Sequence, residues 1–286
     1  MTVQLNAIRP SWAGYSNLKH LVIFGDSYSD VGYQYSDKSS IPTHDEPLGI
    51  PFPGVTWAGP GMPNWVGYLI TEHTHHPLLV YNYAVGGASM PDVRDQIQVN
   101  FMPRVGQKPD WAPWTSEDTL FTTWVGINDC GFLDPEQVPA TVEGLFAQQH
   151  SLYKIGARNF LFIDVPPIHR SPVGVNFSSV DPNFRVTYEK WNASLQEHIA
   201  KFAIDHPDAT TLFYSSWDTL IRVMDDLPAH GFKAEDASRS GGDVWTDHIH
   251  PTHKVHDWFA HDIAKVLHSH PPYDSAGHRK DNKAGD

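Results

Sequence analysis

A serine between Gly25-Asp26 and Tyr28-Ser29-Asp30 follows a short apolar run at residues 21–24. At a polar turn ending a buried strand, a serine can project its hydroxyl into a cleft while its own amide points at the same space. That suits a nucleophile, and it equally suits a helix N-cap. Three later turns carry complementary groups. Asn82-Tyr83-Ala84-Val85-Gly86-Gly87-Ala88 has paired glycines that let backbone amides approach a ligand closely, although such turns are common. Gly126-Ile127-Asn128-Asp129 offers a side-chain amide, Asn128, able to donate to an oxyanion or simply to build an Asn-Asp turn. Asp247-His248-Ile249-His250-Pro251 holds an orienting carboxylate and a base three residues apart, a spacing that places Asp247 and His250 on one face of a helical turn. His248 adjoins Asp247 directly, and adjacent side chains usually diverge, so His250 is the expected base. In a chain with 18 histidines, His248, His253 and His256 are credible bystanders, and the whole cluster is also what a His-rich surface looks like.

These turns need a scaffold that brings them to one edge. Apolar runs of strand length occur at 21–24, 78–83, 120–125, 160–165 and 211–214. Between them lie segments of helical period, clearest in Phe184, Tyr188, Trp191, Leu195, Ile199 and Phe202, with Asp181-Pro182 as cap and first turn. A second helix is expected over 135–156. A third follows Pro251, with Val255, Phe259, Ile263 and Val266 facing inward. Strands alternating with helices imply a parallel sheet covered on both faces, here an α/β fold: a three-layer α/β/α sandwich with about five parallel strands, flavodoxin-like. In such folds ligands sit beyond the carboxyl ends of the strands, where the four turns fall. Residues 36–63, rich in Pro and Gly and carrying Phe52 and Trp57, are expected to form a long ordered insertion in a single domain of residues 1–286, and the polar tail after about 271 is expected to fray.

A net charge of -13 with no large Lys/Arg cluster opposes nucleic acid and anionic lipid surfaces, and favours a neutral small-molecule or oligosaccharide substrate. Cys130 stands alone, which excludes an intrachain disulfide and a thiolate zinc site. No apolar stretch reaches the length of a signal peptide near Met1 or of a bilayer span elsewhere. The chain is expected to be soluble as written, and secreted if a signal preceded it. Compartment and oligomeric state stay open. Sequons at Asn176 and Asn192 would accept glycans in a secretory pathway.

Taken together, the four turns resemble, in order and spacing, the sequence blocks of the GDSL/SGNH hydrolase family along almost the whole chain. The resemblance implies that Ser27 attacks an ester, that the Ser27 amide, Gly87 and Asn128 form the oxyanion hole, and that Asp247 and His250 complete the triad, with no cofactor and no metal. Counting from Asn82 favours Gly87 over Gly86. Asn64-Trp65 resembles a region near the family's acyl site, and Val165-Pro166-Pro167 with Pro172 resembles its segment after the fourth strand. Tyr33, where Asp-x-Gly-Asn is typical, and Cys130 after the Asn-Asp pair depart from the pattern. The aromatic insertion and Trp124-Val125-Gly126-Ile127-Asn128-Asp129 look most like fungal acetylesterases of carbohydrate esterase family sixteen, which act from the nonreducing ends of acetylated xylo-oligosaccharides.

Rival readings are a lipase or lysophospholipase-like acyl hydrolase, a metal-dependent phosphoesterase using Asp26, Asp30, Asn128, Asp129, Asp247, His248 and His250, and a noncatalytic sugar-binding module. The phosphoesterase usually places a His where Tyr28 stands. A nucleotide binder lacks its Gly-rich loop, and an ordinary α/β-hydrolase lacks Gly-x-Ser-x-Gly.

Overall fold

The computed structural model of the chain describes residues 5–36 and 40–274. Five strands, β1 (His20–Gly25), β2 (Leu79–Asn82), β3 (Thr119–Trp124), β4 (Asn159–Ile163) and β5 (Thr210–Tyr214), form one parallel sheet in the order β2-β1-β3-β4-β5. Every residue of β1, β3 and β4 is buried, the signature of a sheet covered on both faces. The α-helices among the described residues are α1 (Trp65–Thr71), α2 (Met90–Asp95), α3 (Ile127–Cys130), α4 (Val138–Lys154), α5 (Pro172–Ser178), α6 (Asn183–Asp205), α7 (Ser216–Asp225) and α8 (His253–His268), and a π-helical turn at Gln96–Phe101 continues α2.

Alternation along the strands sorts the helices into two layers. Thr123 meets Gln149 of α4 while Phe162, its neighbour across the sheet, packs on Phe146 of α4 and Phe202 of α6. Trp124, one residue on, turns to the other face and meets Phe259 of α8. With α1 and α7 packed on α8, and α2 on α4, the result is the expected three-layer α/β/α sandwich.

The elements follow the apolar runs within a residue or two. Asp181 accepts the Asn183 amide at 2.8 Å to start α6, whose Tyr188, Trp191, Leu195, Ile199 and Phe202 are buried while Phe184 is half-buried. In α8, Val255, Phe259 and Ile263 are buried as expected, but Leu267 takes the inward place expected for Val266, which is half-buried. Residues 40–63 contain neither helix nor strand; Leu48 and Ala58 bury into the core and Val55 donates its amide to Val31 at 2.8 Å. Of the tail expected to fray, 271–274 instead lie against the amino-terminal segment, where Tyr273 donates to the Trp12 carbonyl at 2.9 Å, and the rest lies outside the described residues. The two sequons differ. Asn176 is exposed, whereas Asn192 is buried with both polar atoms on the Val165 backbone at 2.9 Å, so a glycan there would dismantle the link between α6 and the end of β4.

Candidate active site

Strand order reverses direction at β1, so the carboxyl ends of β1 and β3 border the crevice in which doubly wound sheets bind ligands. Ser27 follows β1 and Asn128 follows β3. The end of β1 is held by a side chain, because buried Gln96 accepts the Gly25 amide at 2.9 Å and donates to the Gly25 carbonyl at 2.8 Å. One helical turn follows, with the Ser29 and Asp30 amides both 3.0 Å from the Asp26 carbonyl. Its backbone is braced from outside. Asn82 donates to the Ser29 carbonyl at 2.7 Å and Asn64 to the Asp30 carbonyl at 2.9 Å, while the Trp65 indole donates to the Ser29 hydroxyl at 3.0 Å. Asn64 and Trp65 therefore support the serine turn.

No helix begins at Ser27, and its hydroxyl lies 2.9 Å from His250 Nε2. His250 Nδ1 lies 2.7 Å from Asp247 Oδ2, and a carboxylate there requires the proton on Nδ1, which leaves Nε2 free to accept from the serine. The other oxygen, Asp247 Oδ1, accepts the backbone amides of Ile249 and His250, each at 2.8 Å. Partial burial raises the Asp247 pKa, but the His250 ring, these two amides and the His250 charge outweigh it and hold the carboxyl well below the usual range. The turn is tied to the Ser27 side by the Tyr28 hydroxyl, which donates to the Ile249 carbonyl at 2.7 Å. His248 points away: its side chain is 66% exposed and its Nδ1 is 3.9 Å from Asp247, beyond hydrogen-bond reach. Buried His256, its pKa pushed down to about 3 by burial and by His250 and His253, sits neutral against Tyr28.

The candidate oxyanion donors converge from three strands. Asn128 Nδ2 spends one N–H on the Ala88 carbonyl at 2.8 Å, which orients the amide. Gly86 and Gly87 differ in availability. The Gly86 amide donates to Asp30 Oδ2 at 2.8 Å, whereas among the described residues the amides of Ser27 and Gly87 donate to no group. Gly87 has φ 80, a left-handed conformation natural to glycine, with open space around its Cα. Beside Asn128 a cavity of about 390 Å³ is lined by Ile127, Phe132, Phe177, Phe184, His248 and Ile249.

The side chains of a two-metal reading are engaged with neighbouring amides and with His250. Asp30 holds Gly32 and Gly86, Asp129 holds the Met90 amide, Asp247 holds His250, and among the described residues no three His, Cys, Asp or Glu side chains gather to hold an ion. The two departures from the pattern sit off the triad: Tyr33 packs edge-on against Tyr83, and Cys130 is buried, its thiol pKa pushed well up by burial. Sequence reasoning did not single out Gln96, nor the place of Trp57, whose indole stacks on the His250 ring with centroids 4.8 Å apart. The aromatic content of the insertion was the one available signal for Trp57. Gln96 had none.

No helix among the described residues is long and apolar enough to cross a membrane. The family model described as GDSL-like Lipase/Acylhydrolase matches residues 21–263. An acetylesterase of Thermothelomyces thermophilus is 32% identical over 280 residues, covering 90% of each chain. An acetylesterase of Hypocrea jecorina is 25% identical over 186 residues, 56% of this chain and 51% of that one. Among solved structures, the acetylxylan esterase Axe2 of Geobacillus stearothermophilus superposes with a TM-score of 0.55 at 16% identity, covering 90% of this chain and 97% of that one, a likeness of fold. The chain belongs to the GDSL-like lipase/acylhydrolase family and is a carboxylic ester hydrolase.

Proposed function

We propose that this esterase removes acetyl groups from acetylated sugars or xylo-oligosaccharides through a Ser27 acyl-enzyme. The observation that carries the reading is the continuous chain Ser27 Oγ, His250, Asp247, with contacts of 2.9 and 2.7 Å. His250 Nε2 takes the serine proton as Oγ attacks the ester carbonyl. Asp247 keeps its charge and stabilises the imidazolium. The negative oxygen of the tetrahedral intermediate is met by the Ser27 and Gly87 amides and the second N–H of Asn128. Collapse expels the alcohol, which receives the proton from His250, and water then repeats the sequence on the acyl-serine.

The acetyl-sugar assignment draws on the Thermothelomyces thermophilus acetylesterase, matched over nine-tenths of both chains, and on the exposed indoles Trp57 and Trp111, surfaces suited to sugar rings. The aromatic groove beside Asn128, with Phe132 91% exposed, favours a second reading, an acyl hydrolase for longer chains. A substrate panel separates them. With acetylated xylo-oligosaccharides and 4-nitrophenyl esters from acetate to octanoate, the acetylesterase reading predicts the highest kcat/KM for acetyl and a fall by octanoate. A rise toward octanoate would favour the second reading.

A further inference from the structure

Trp57 is half-exposed, so core burial does not account for its position. The chain on both sides is pinned. Val55 donates to Val31 at 2.8 Å, Ala58 is buried, and the Ala58 carbonyl accepts the His253 amide at 2.8 Å at the start of α8. These ties place the indole over the imidazole of His250, with a centroid separation of 4.8 Å and an interplanar angle of 26°. The indole edge is anchored in turn. Trp57 Nε1 donates to Asp30 Oδ2 at 3.4 Å, the same oxygen that takes the Gly86 amide at 2.8 Å. A Cβ at position 86 would lie 2.7 Å from the indole, so only glycine lets the ring approach this closely. The insertion, the nucleophile turn, the glycine turn and the base thus meet around one aromatic ring.

Building on the triad reading above, we propose that Trp57 is a positioning residue for the base. The imidazole must reach Asp247 with one nitrogen and Ser27 with the other, and the stacked indole closes the face through which the ring would tilt away. Tyr28 supports it at a centroid distance of 6.1 Å, with neutral His256 behind Tyr28 and Asp247 at the edge. The stack also acts on charge. His250 becomes an imidazolium only as Ser27 loses its proton, and an electron-rich indole face within about 6 Å attracts a cation, more so with the Asp30 carboxylate on its N–H. An interaction that strengthens only as charge develops lowers the barrier without tightening substrate binding.

The test uses 4-nitrophenyl acetate, which has no sugar to stack. Trp57→Ala and Trp57→Leu should each lower kcat by about 10-fold with KM within about twofold, and Trp57→Phe, which keeps a π face, should stay within about threefold of wild type. Leucine fills space without a π face, so the Leu and Phe variants remain a valid pair even if the alanine variant folds poorly. Equal kcat in Leu and Phe variants would overturn the proposal, as would a loss confined to KM. Ser27→Ala runs beside them. Its inactivity with an unaffected Trp57→Leu sinks the Trp57 proposal alone, whereas turnover by Ser27→Ala sinks the triad reading beneath it.

Discussion

Two buried carboxylates stand at the carboxyl edge of the same sheet, and their surroundings differ. Asp164, beyond β4, accepts the Ser215 hydroxyl at 2.7 Å, the Ser216 hydroxyl at 3.0 Å and the Trp217 amide at 3.0 Å, all from the turn that begins α7 after β5. Among the described residues the carboxyl group of Asp26, beyond β1, accepts only the Tyr28 amide at 3.1 Å, and its Oδ2 has no partner. Burial raises both, Asp164 to about 7 and Asp26 to about 8, the latter with help from the charges of Asp129 and Asp30. The β4–β5 end closes its polar groups on one another and serves as a brace. The β2-β1-β3 end leaves the Ser27 and Gly87 amides without an acceptor among the described residues and keeps its carboxyl group out of water, where fixed dipoles act more strongly on a developing charge.

The largest effects are expected at the proposed triad. Ser27→Ala and His250→Ala should each reduce kcat by about 10⁴ or more, and the double variant should be no worse than either, because in the proposed mechanism the two act as one unit. His248→Ala, altering an exposed ring in the same turn, should keep most activity. Additive losses would separate Ser27 from His250, and a damaging His248→Ala would move the base. The next largest effect falls on Asn128. In the proposed mechanism Asn128 donates to the oxyanion, so Asn128→Ala should lower kcat by about 10²–10³ with a smaller change in KM, because that charge exists only near the transition state. A pure KM effect would make it a substrate-binding residue.

Asp26 sharpens the contrast on the stability side. Folded, it keeps its proton up to about pH 8; unfolded, it releases it near 3.8. Between those values the folded protein binds the extra proton, so raising the pH through this window costs stability. Asp26→Asn mimics the protonated form. Its Tm relative to wild type should therefore be higher at pH 9 than at pH 5, and parallel Tm curves would contradict the account.

Much of this was legible in the chain because it is local. The five strands were apolar runs ending at polar turns, and Asp247 with His250 needed only the geometry of one turn. What escaped was tertiary or irregular. Gln96 reaches Gly25 across 71 positions from a helical segment with no distinctive pattern. Trp57 sits in a stretch without periodicity, so nothing in its spacing told which face it would cover. The helix α7, started by the Ser215 hydroxyl accepting the Asp218 amide at 3.0 Å, did carry a local cap signal but follows β5 after that single residue, and a short strand masks so abrupt a change of period. Asn192 was legible as a sequon and not as a buried tie to Val165, because burial depends on the partner strand.

In the proposed mechanism Ser27 is the residue that becomes acylated. Incubation with a fluorophosphonate ester, followed by peptide mass analysis, should modify one residue, Ser27, with loss of activity in proportion, and His250→Ala should slow labelling severely because the hydroxyl then lacks its base. Label on another residue, or full inactivation with Ser27 unmodified, would contradict the account.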